Sequence, residues 1–323
     1  MPSPRGLTRQ LGRSTQAGVD NLGPYLLHVV WSLVALSGLF LGLRAYCKLR
    51  RRRPLWWDDH FLTASWITLV ISVVLQSVGV HYGLGKPYAD QYEQGTISTV
   101  AQYSYIAGFF SILATCWSKT SFAISLLRIA TGREMRWFIW FIIITVNLML
   151  GSNGAIQWVQ CWPIGKLWNW EMEGSCLPPN TIQVYNAFIA SFSGLMDIIL
   201  ALLPWKIIWD LTINKKEKLG VLVAMSTGIL AGIMSFLKIK TLYVIGNSNA
   251  TTVDLFIFGT AEPATAIMAA SIPVLRALIR REPGQKPTAF IGMDNHRIRT
   301  QPSPELSLLD GERMHVKKSM EQA

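Results

Sequence analysis

Residues 24–46 read PYLLHVVWSLVALSGLFLGLRAY, and residues 47–53 read CKLRRRR. The first stretch is long enough to cross the hydrocarbon core of a bilayer, which takes about 20 mostly apolar residues in a helix. The second stretch is a dense basic run of the kind that stays on the cytosolic side of a membrane. The apolar run is too long and begins too late for a cleaved signal peptide. Together the two stretches predict a retained first span followed by a cytosolic loop.

Six further apolar stretches follow along the chain. They cover residues 60–80, 100–127, 136–159, 181–205, 218–245 and 253–275. Because a membrane span must satisfy its backbone hydrogen bonds internally, each stretch is expected to be an α-helix. The last one contains Pro263 and Pro273 and is predicted to be a kinked span. The predicted fold class is therefore all-α, a polytopic bundle of seven transmembrane helices.

The composition also favours a membrane protein. Hydrophobic residues make up 50% of the 323 residues and charged residues only 15%, whereas soluble domains carry about a quarter charged residues. The net charge of +11 comes from basic residues that fall between the apolar stretches, which is a membrane-topology pattern. The expected partner is therefore the lipid bilayer, and nucleic acid is not expected.

The distribution of Lys and Arg predicts the orientation. Twelve of these residues lie within or beside three alternate connections, at 48–53, 128–136 and 206–218, whereas the opposite connections hold Lys86 and Lys166. Because cytosolic loops carry the excess of basic residues, we expect the N-terminus outside and the C-terminus in the cytosol. Which membrane holds the protein, the plasma membrane or an endomembrane, is left open by this pattern.

Three regions follow from this organisation. Residues 1–21 form a short outer tail, and residues 22–281 form the membrane domain. Residues 282–323 are rich in Pro, Ser and Gln with mixed charge and no apolar period. Such a composition does not bury enough apolar surface to fold, so this cytosolic tail is predicted to be disordered.

Ionisable residues inside the predicted spans are the main candidates for a functional site. Lys119, Asp197 and Glu262 lie on the third, fifth and seventh spans, and Lys238 lies on the sixth. Charges at membrane depth are costly, and they usually face the bundle interior and pair. Lys119 and Asp197 are expected at similar depth and therefore to pair. Glu262 is expected at a different depth, with its own donor such as Lys238 or Asn186.

Two interpretations of these charges are open. They form either a polar clamp between helices or, jointly, a site for a small-molecule ligand within the bundle. Lys238 lies toward the outer end of its span, so its side chain could instead extend to the membrane surface.

The predicted outer face carries three further candidates. Residues 81–85, His-Tyr-Gly-Leu-Gly, predict a tight turn, in which His81 is either structural or a ligand contact. Cys161 and Cys176 share one outer connection, where they form either a disulfide, since disulfides persist in oxidising compartments, or two free thiols. Asn249 begins a glycosylation sequon, whose occupancy is open because it lies close to the membrane.

Several kinds of chemistry are not expected. Asp58 and Asp59 follow the basic run, where they would cap the second helix or pair with Arg51–Arg53, and two adjacent carboxylates are too few to define a metal site. The chain contains no HExxH, GxSxG or P-loop pattern, so no catalytic residue is assigned. Residues 253–275 contain no lysine that could form a Schiff base with retinal, so neither retinal nor another cofactor is expected.

A set of short motifs runs from Leu41 to Arg276. They are Arg44-Ala45-Tyr46, Asp58-Asp59, His81 to Gly85, Lys119-Thr120-Ser121 with Arg128, Cys161-Trp162-Pro163 with Trp168 and Cys176, Asp197 with Pro204-Trp205, and Glu262 with Pro273 to Arg276. In order and spacing they resemble the fungal rhodopsin-like integral membrane proteins of the satratoxin-cluster type, which are related to fungal seven-transmembrane receptor-like proteins. The resemblance implies a receptor-like bundle without retinal, in the setting of a fungal secondary-metabolite gene cluster.

Two classes of function are compatible with these features. In the first, a receptor or sensor binds a small molecule near Lys119, Asp197 and Glu262, and its basic cytosolic loops meet acidic lipids or an unknown signalling partner. In the alternative, an integral membrane enzyme such as a terpene cyclase uses the two carboxylates as acids. The expected difference in their depths favours the receptor.

Overall fold

The computed structural model describes residues 21–50, 52, 54, 56–86, 96–130, 132–209, 215–244 and 249–279, with side chains at all of these except 204–209, 215–224, 243, 244, 249, 250, 273, 274 and 276–279. The predicted tails, 1–21 except Asn21 and 282–323, lie outside the described residues. Arg51 and Arg53 of the basic run also lie outside them.

Within the described residues the chain forms seven long helices. They are α1 Gly23–Arg50, α2 Trp57–His81, α3 Ile97–Ile129, α4 Arg133–Val159, α5 Pro179–Trp209, α6 Lys215–Val244 and α7 Asn249–Ile279. Each contains a stretch long and apolar enough to cross a membrane, which confirms the predicted seven-helix membrane bundle. Each helix also extends past the apolar stretch that predicted it, because hydropathy marks the hydrocarbon core and a helix continues into the headgroup region.

The helices form a closed ring in chain order. Each one packs against its neighbours in sequence, and α1 closes the ring against α7. Helix α3 is central, since it contacts α2, α4, α5 and α7. Large apolar side chains such as Leu39, Ile144 and Leu148 remain exposed on the outside of the ring, where the bilayer is the solvent. The interior is therefore the place to look for polar groups with a function.

Helices α2 and α3 are joined by hydrogen bonds at a seven-residue spacing. Three serine hydroxyls donate to main-chain carbonyls of the facing helix: Ser65 to Ala114 (2.7 Å), Ser72 to Ala107 (2.8 Å) and Ser121 to Asp58 (2.6 Å). A seven-residue repeat keeps the same faces of two helices together over several turns. Small residues at these positions let the two backbones approach closely.

Helix α7 continues through both of its prolines as one element, Asn249–Ile279. Pro263 has no N–H, so it leaves the carbonyl of Gly259 without its usual partner in the helix. The hydroxyl of Ser111 on α3 donates to that carbonyl at 2.9 Å. A neighbouring helix thus supplies the missing bond, which is how membrane helices tolerate proline.

Helix α2 ends in the turn that its glycines predict. Gly83 has φ +114°, and the N–H of Leu84 donates to the carbonyl of Gly79 at 2.8 Å, which is a Schellman-type helix end. Gly85 lies against the start of α1, where an added Cβ would be 2.6 Å from the nitrogen of Gly23. Both positions therefore require glycine.

A short hairpin connects α4 to α5, and we call residues 160–178 the α4–α5 hairpin. Strands β1 Cys161–Trp162 and β2 Ser175–Cys176 pair antiparallel, with a turn of 3₁₀ helix at Ile164–Leu167 between them. Cys161 stands opposite Cys176, and the two form a disulfide.

Candidate functional site

Three charged side chains from α3, α5 and α7 meet inside the bundle. The ammonium of Lys119 forms an ion pair with the carboxylate of Asp197 and another with Glu262, whose Oε1 is 3.2 Å from Nζ. The three residues are only 2%, 5% and 2% exposed, respectively. Because a buried charge is tolerated only when it is paired and hydrogen-bonded, these three residues hold three helices in one arrangement. We call them the Lys119 triad.

One part of this arrangement differs from the sequence prediction. The pairing of Lys119 with Asp197 is present, but Lys119 also pairs with Glu262, and the side chain that donates to Glu262 is Ser193 and not Lys238 or Asn186. Both carboxylates contact the same ammonium. A difference in depth does not prevent this, because the flexible four-carbon stem of lysine lets one ammonium contact acids at different depths.

Serines on α5 and α6 extend the triad. The Ser193 hydroxyl donates to Glu262 Oε1 at 2.7 Å, and Lys119 Nζ donates to the Ser193 carbonyl at 3.2 Å. The buried Ser235 of α6 faces both carboxylates. Among the described residues, no hydrogen-bond donor reaches Asp197 Oδ2, so one buried acceptor of the triad is left open.

A small cavity lies beside the triad. Its lining consists of Lys119, Asp197 and six apolar residues, namely Phe122, Leu200, Gly228, Ala231, Ala266 and Ala269. The space holds about one water molecule. In this conformation the triad is therefore closed to a ligand of metabolite size.

Lys238 faces the interior and not the membrane surface. It is half-buried, and a side chain added at Gly259 of α7 would meet its ammonium at 4.0 Å. Its positive charge acts on Glu262, although no carboxylate of the described residues lies within ion-pair distance of it. The structure therefore places Lys238 next to the triad and not in it.

His81 lies far from these residues. It is the exposed last residue of α2, and its ring is edge-on to Tyr82 at 5.6 Å between centroids. The hydrogen bond from Ser65 to Ala114 sets the register of α2 against α3, which run antiparallel. Lys119, five residues after Ala114, therefore lies level with His60, five residues before Ser65. At about 1.5 Å per residue, His81 is roughly 30 Å away along the helix. The structure thus does not bring His81 into the site.

A second buried charge cluster involves Asp58 and Asp59. Their cations are Arg44 and Lys48 of α1, with contacts from Arg44 to Asp58 (2.5 Å) and Asp59 (2.9 Å), from Lys48 to Asp59 (2.5 Å), and from Arg44 to the Ala270 carbonyl of α7 (2.6 Å). The prediction that Asp59 caps α2 is met in part, since it accepts the N–H of Trp56 at 3.2 Å.

Sequence reasoning missed the partners in this second cluster. It considered Arg51–Arg53, of which only Arg52 lies in the described part of the chain. It counted Lys48 only as a loop charge and named Arg44 only within a motif. Their spacing of four residues was the signal, because it places both on one face of α1, toward an adjacent pair of acids. The cluster ties α1, α2 and α7 together.

The close approach of α5 and α6 was also missed. Gly228 and Gly232 form a GxxxG pattern, which lets membrane helices pack closely. A side chain added at Gly232 would lie 3.0 Å from Ile198 and 3.1 Å from the carbonyl of Gly194. This approach brings α6 against the α5 residues that flank Asp197.

The predicted glycosylation site at Asn249 is not tested by the structure. Helix α7 begins at Asn249, but the side chain of Asn249 is outside the described set, so its glycosylation stays a prediction.

Comparisons with known proteins give a family and two relatives. The family model for the fungal rhodopsin domain matches residues 43–281. The chain is 22% identical over 227 residues to "SAT4 family membrane protein" of Emericella nidulans, which covers 69% of this chain and 54% of that protein. It is 23% identical over 187 residues to "Fugralins biosynthesis cluster protein 2" of Gibberella zeae, which covers 55% of this chain and 44% of that one.

The matches to the two relatives are partial. The chain spans about half the length of the two curated relatives. No solved structure matches it.

Proposed function

The chain belongs to the fungal rhodopsin domain family of multi-pass membrane proteins, and we propose that it is a receptor- or sensor-like protein whose helix packing responds to a small polar ligand. The observation that supports this proposal is the Lys119 triad. A single ammonium holds two carboxylates from two other helices, so a competing polar ligand acts on three helices at once.

The closed cavity defines how such a ligand would act. A ligand shifts an equilibrium only by its difference in affinity for the two states. The space beside Asp197 holds about one water molecule, so the ligand binds a conformation in which α6 or α7 has moved away. Small residues such as Gly228, Ala231 and Ala266 line this face. Because their side chains do not interlock with the neighbouring helix, they offer little resistance to such a movement.

The wider setting of the proposal comes from a relative and from the loops. One relative is named for a biosynthesis cluster, which supports a role of this chain in fungal secondary metabolism. The basic connections on the predicted cytosolic side suit acidic lipid headgroups or an acidic signalling partner. Retinal is not part of the proposal, because residues 253–275 contain no lysine.

One observation favours the enzyme alternative. Asp197 and Glu262 meet at one point, as paired acids of a membrane cyclase would. However, both contact Lys119, and the adjacent space is far too small for an isoprenoid chain. The receptor-like function is therefore the better supported of the two.

The experiment uses the full chain in lipid nanodiscs with a library of purified fungal polyketides and terpenoids. Thermal stability reports binding, and spin labels on α3 and α6 report the distance between these helices. We expect a hit to raise the melting temperature and change that distance. The effect should be retained in Lys240→Met, which removes an exposed charge of α6, and reduced in Glu262→Gln.

A second arm tests the alternative with prenyl diphosphates as substrates. Turnover that disappears in Glu262→Gln and Asp197→Asn would overturn the receptor-like proposal. A library without any compound that changes the α3–α6 distance would also count against it.

A further inference from the structure

The α4–α5 hairpin exposes large apolar side chains at one end of the bundle. Trp162 is 81% exposed and Trp170 is 73% exposed, and the nearby Ile164 and Met172 are exposed as well. Several large exposed apolar side chains within one short segment mark an interaction site. The disulfide of Cys161 with Cys176 closes this segment, so the indoles are presented on a constrained loop.

The hairpin is joined at both ends to the lipid-facing surface. Val159, the last residue of α4, is 77% exposed. On the other side, Leu177 precedes α5, and Val184 and Phe188 continue the exposed apolar surface along α5. The exposed indoles therefore extend a surface that already faces the bilayer.

The polar groups of the hairpin suit the headgroup region and not the hydrocarbon. Glu171 and Glu173 are exposed, and their charges need water or lipid headgroups. Lys166 donates to the Gly174 carbonyl at 2.5 Å, so its charge stays close to the hairpin backbone. Indole rings are enriched at this depth of the membrane because their apolar body and N–H need different surroundings.

We propose that the α4–α5 hairpin lies in the headgroup region of the adjacent leaflet, with the indoles of Trp162 and Trp170 at the boundary of headgroups and acyl chains. It thereby anchors this end of α4 and α5 against vertical displacement. The partner is the lipid surface and not a second protein, because the exposed apolar residues of the hairpin adjoin, along the chain, the exposed apolar residues at the ends of both helices. The proposal does not depend on the receptor-like function.

The test measures tryptophan quenching in nanodiscs of the full-length protein. Three quenchers are compared: a lipid nitroxide near the glycerol, a lipid nitroxide near the chain end, and aqueous iodide. The signal of the hairpin is the difference between the wild type and the double variant Trp162→Phe, Trp170→Phe, which stays apolar and keeps the disulfide. Trp66→Phe serves as the matched control, since the Trp66 indole is part-buried and donates to the Val34 carbonyl at 3.3 Å.

We expect the hairpin signal to be quenched most by the shallow nitroxide, less by the deep one and little by iodide. The Trp66 signal should resist all three. Strong quenching by iodide with none by the lipid nitroxides would overturn the proposal, because the hairpin would then stand in water. Protection from all three quenchers would also overturn it, because the indoles would then be covered by protein.

Discussion

Lys119 holds carboxylates from two other helices, so the loss of this one side chain leaves two buried acids without their cation. A buried pair contributes little net stability compared with an apolar replacement, but breaking it from one side is strongly destabilising. The Lys119 triad is therefore a place where single substitutions have large and unequal effects.

We predict that Lys119→Met lowers the free energy of unfolding by about 3–5 kcal/mol, the range for a buried pair broken from one side. Glu262→Gln should cost less, because it removes one of two acids and keeps an acceptor for Ser193. Reversible unfolding in mixed detergent micelles measures both. The control is Lys240→Met, which removes an exposed lysine and should change little. Equal losses in Lys119→Met and Lys240→Met would contradict the prediction.

For single residues, the sequence predicted which charged side chains are buried better than it predicted which groups they contact. It selected Lys119, Asp197 and Glu262 because charge is rare at membrane depth. It could not place Glu262 on the same ammonium, since rotation and vertical shift of a helix follow from packing and not from composition. Arg44 was missed for a related reason, because at a helix end a buried arginine and a loop arginine have the same sequence signature.

Between neighbouring helices, α2 and α3 show how small polar residues replace the hydrophobic effect inside a bilayer. Ser65 and Ser72 each donate to a carbonyl of α3. Lipid tails are as apolar as leucine, so packing and interhelical hydrogen bonds stabilise the pair.

We predict that Ser65→Ala and Ser72→Ala each lower the free energy of unfolding by about 0.6 kcal/mol, the average for hydrogen bonds between membrane helices. The losses should be nearly additive, because the two sites are seven residues apart. Ser32→Ala is the control, since the exposed Ser32 donates to its own helix at Val29. A loss in the control as large as in Ser65→Ala would argue against a specific role of the bonds with α3.

The contact of α5 with α6 gives a second prediction at the level of helices. Gly232→Val should force these helices apart, because even a Cβ there lies 3.0 Å from Ile198, and overpacking costs about 1–3 kcal/mol. Gly42→Val is the matched control, since a Cβ at Gly42 would meet no atom within 4 Å apart from its chain neighbours and the nearby backbone of its own helix. Melting temperatures in nanodiscs compare the two, and a Gly232→Val protein as stable as the control would contradict the prediction.

The helices themselves were predictable from sequence, whereas their ends and their contacts were less so. Twenty apolar residues are sufficient to indicate a span, and all seven were found. The ends extend further because the polar first turns of α2 and α4, with Asp58 and Arg133 for example, carry no hydropathy signal. The GxxxG at Gly228 and Gly232 could have indicated the partner face of α6, but not that α5 is the partner.

For the molecule as a whole, the orientation remains a prediction from the basic residues of the connections. We expect trypsin added to sealed, right-side-out cells to leave an epitope at the C-terminus intact, and to remove it after permeabilisation. Cleavage of the epitope in sealed cells would reverse the orientation. An outer marker protein digested in both conditions and a cytosolic one digested only after permeabilisation serve as controls.

The Lys119 triad also has a consequence for how the chain is made. Lys119 is synthesised first, Asp197 follows 78 residues later and Glu262 follows 143 residues later. At a synthesis rate of about 5–20 residues per second, Asp197 is added roughly 4–16 s after Lys119, and Glu262 roughly 7–29 s after it. During synthesis α3 therefore carries an uncompensated charge that needs water or the insertion machinery, and a chain that stops after α6 lacks Glu262 and cannot complete the triad.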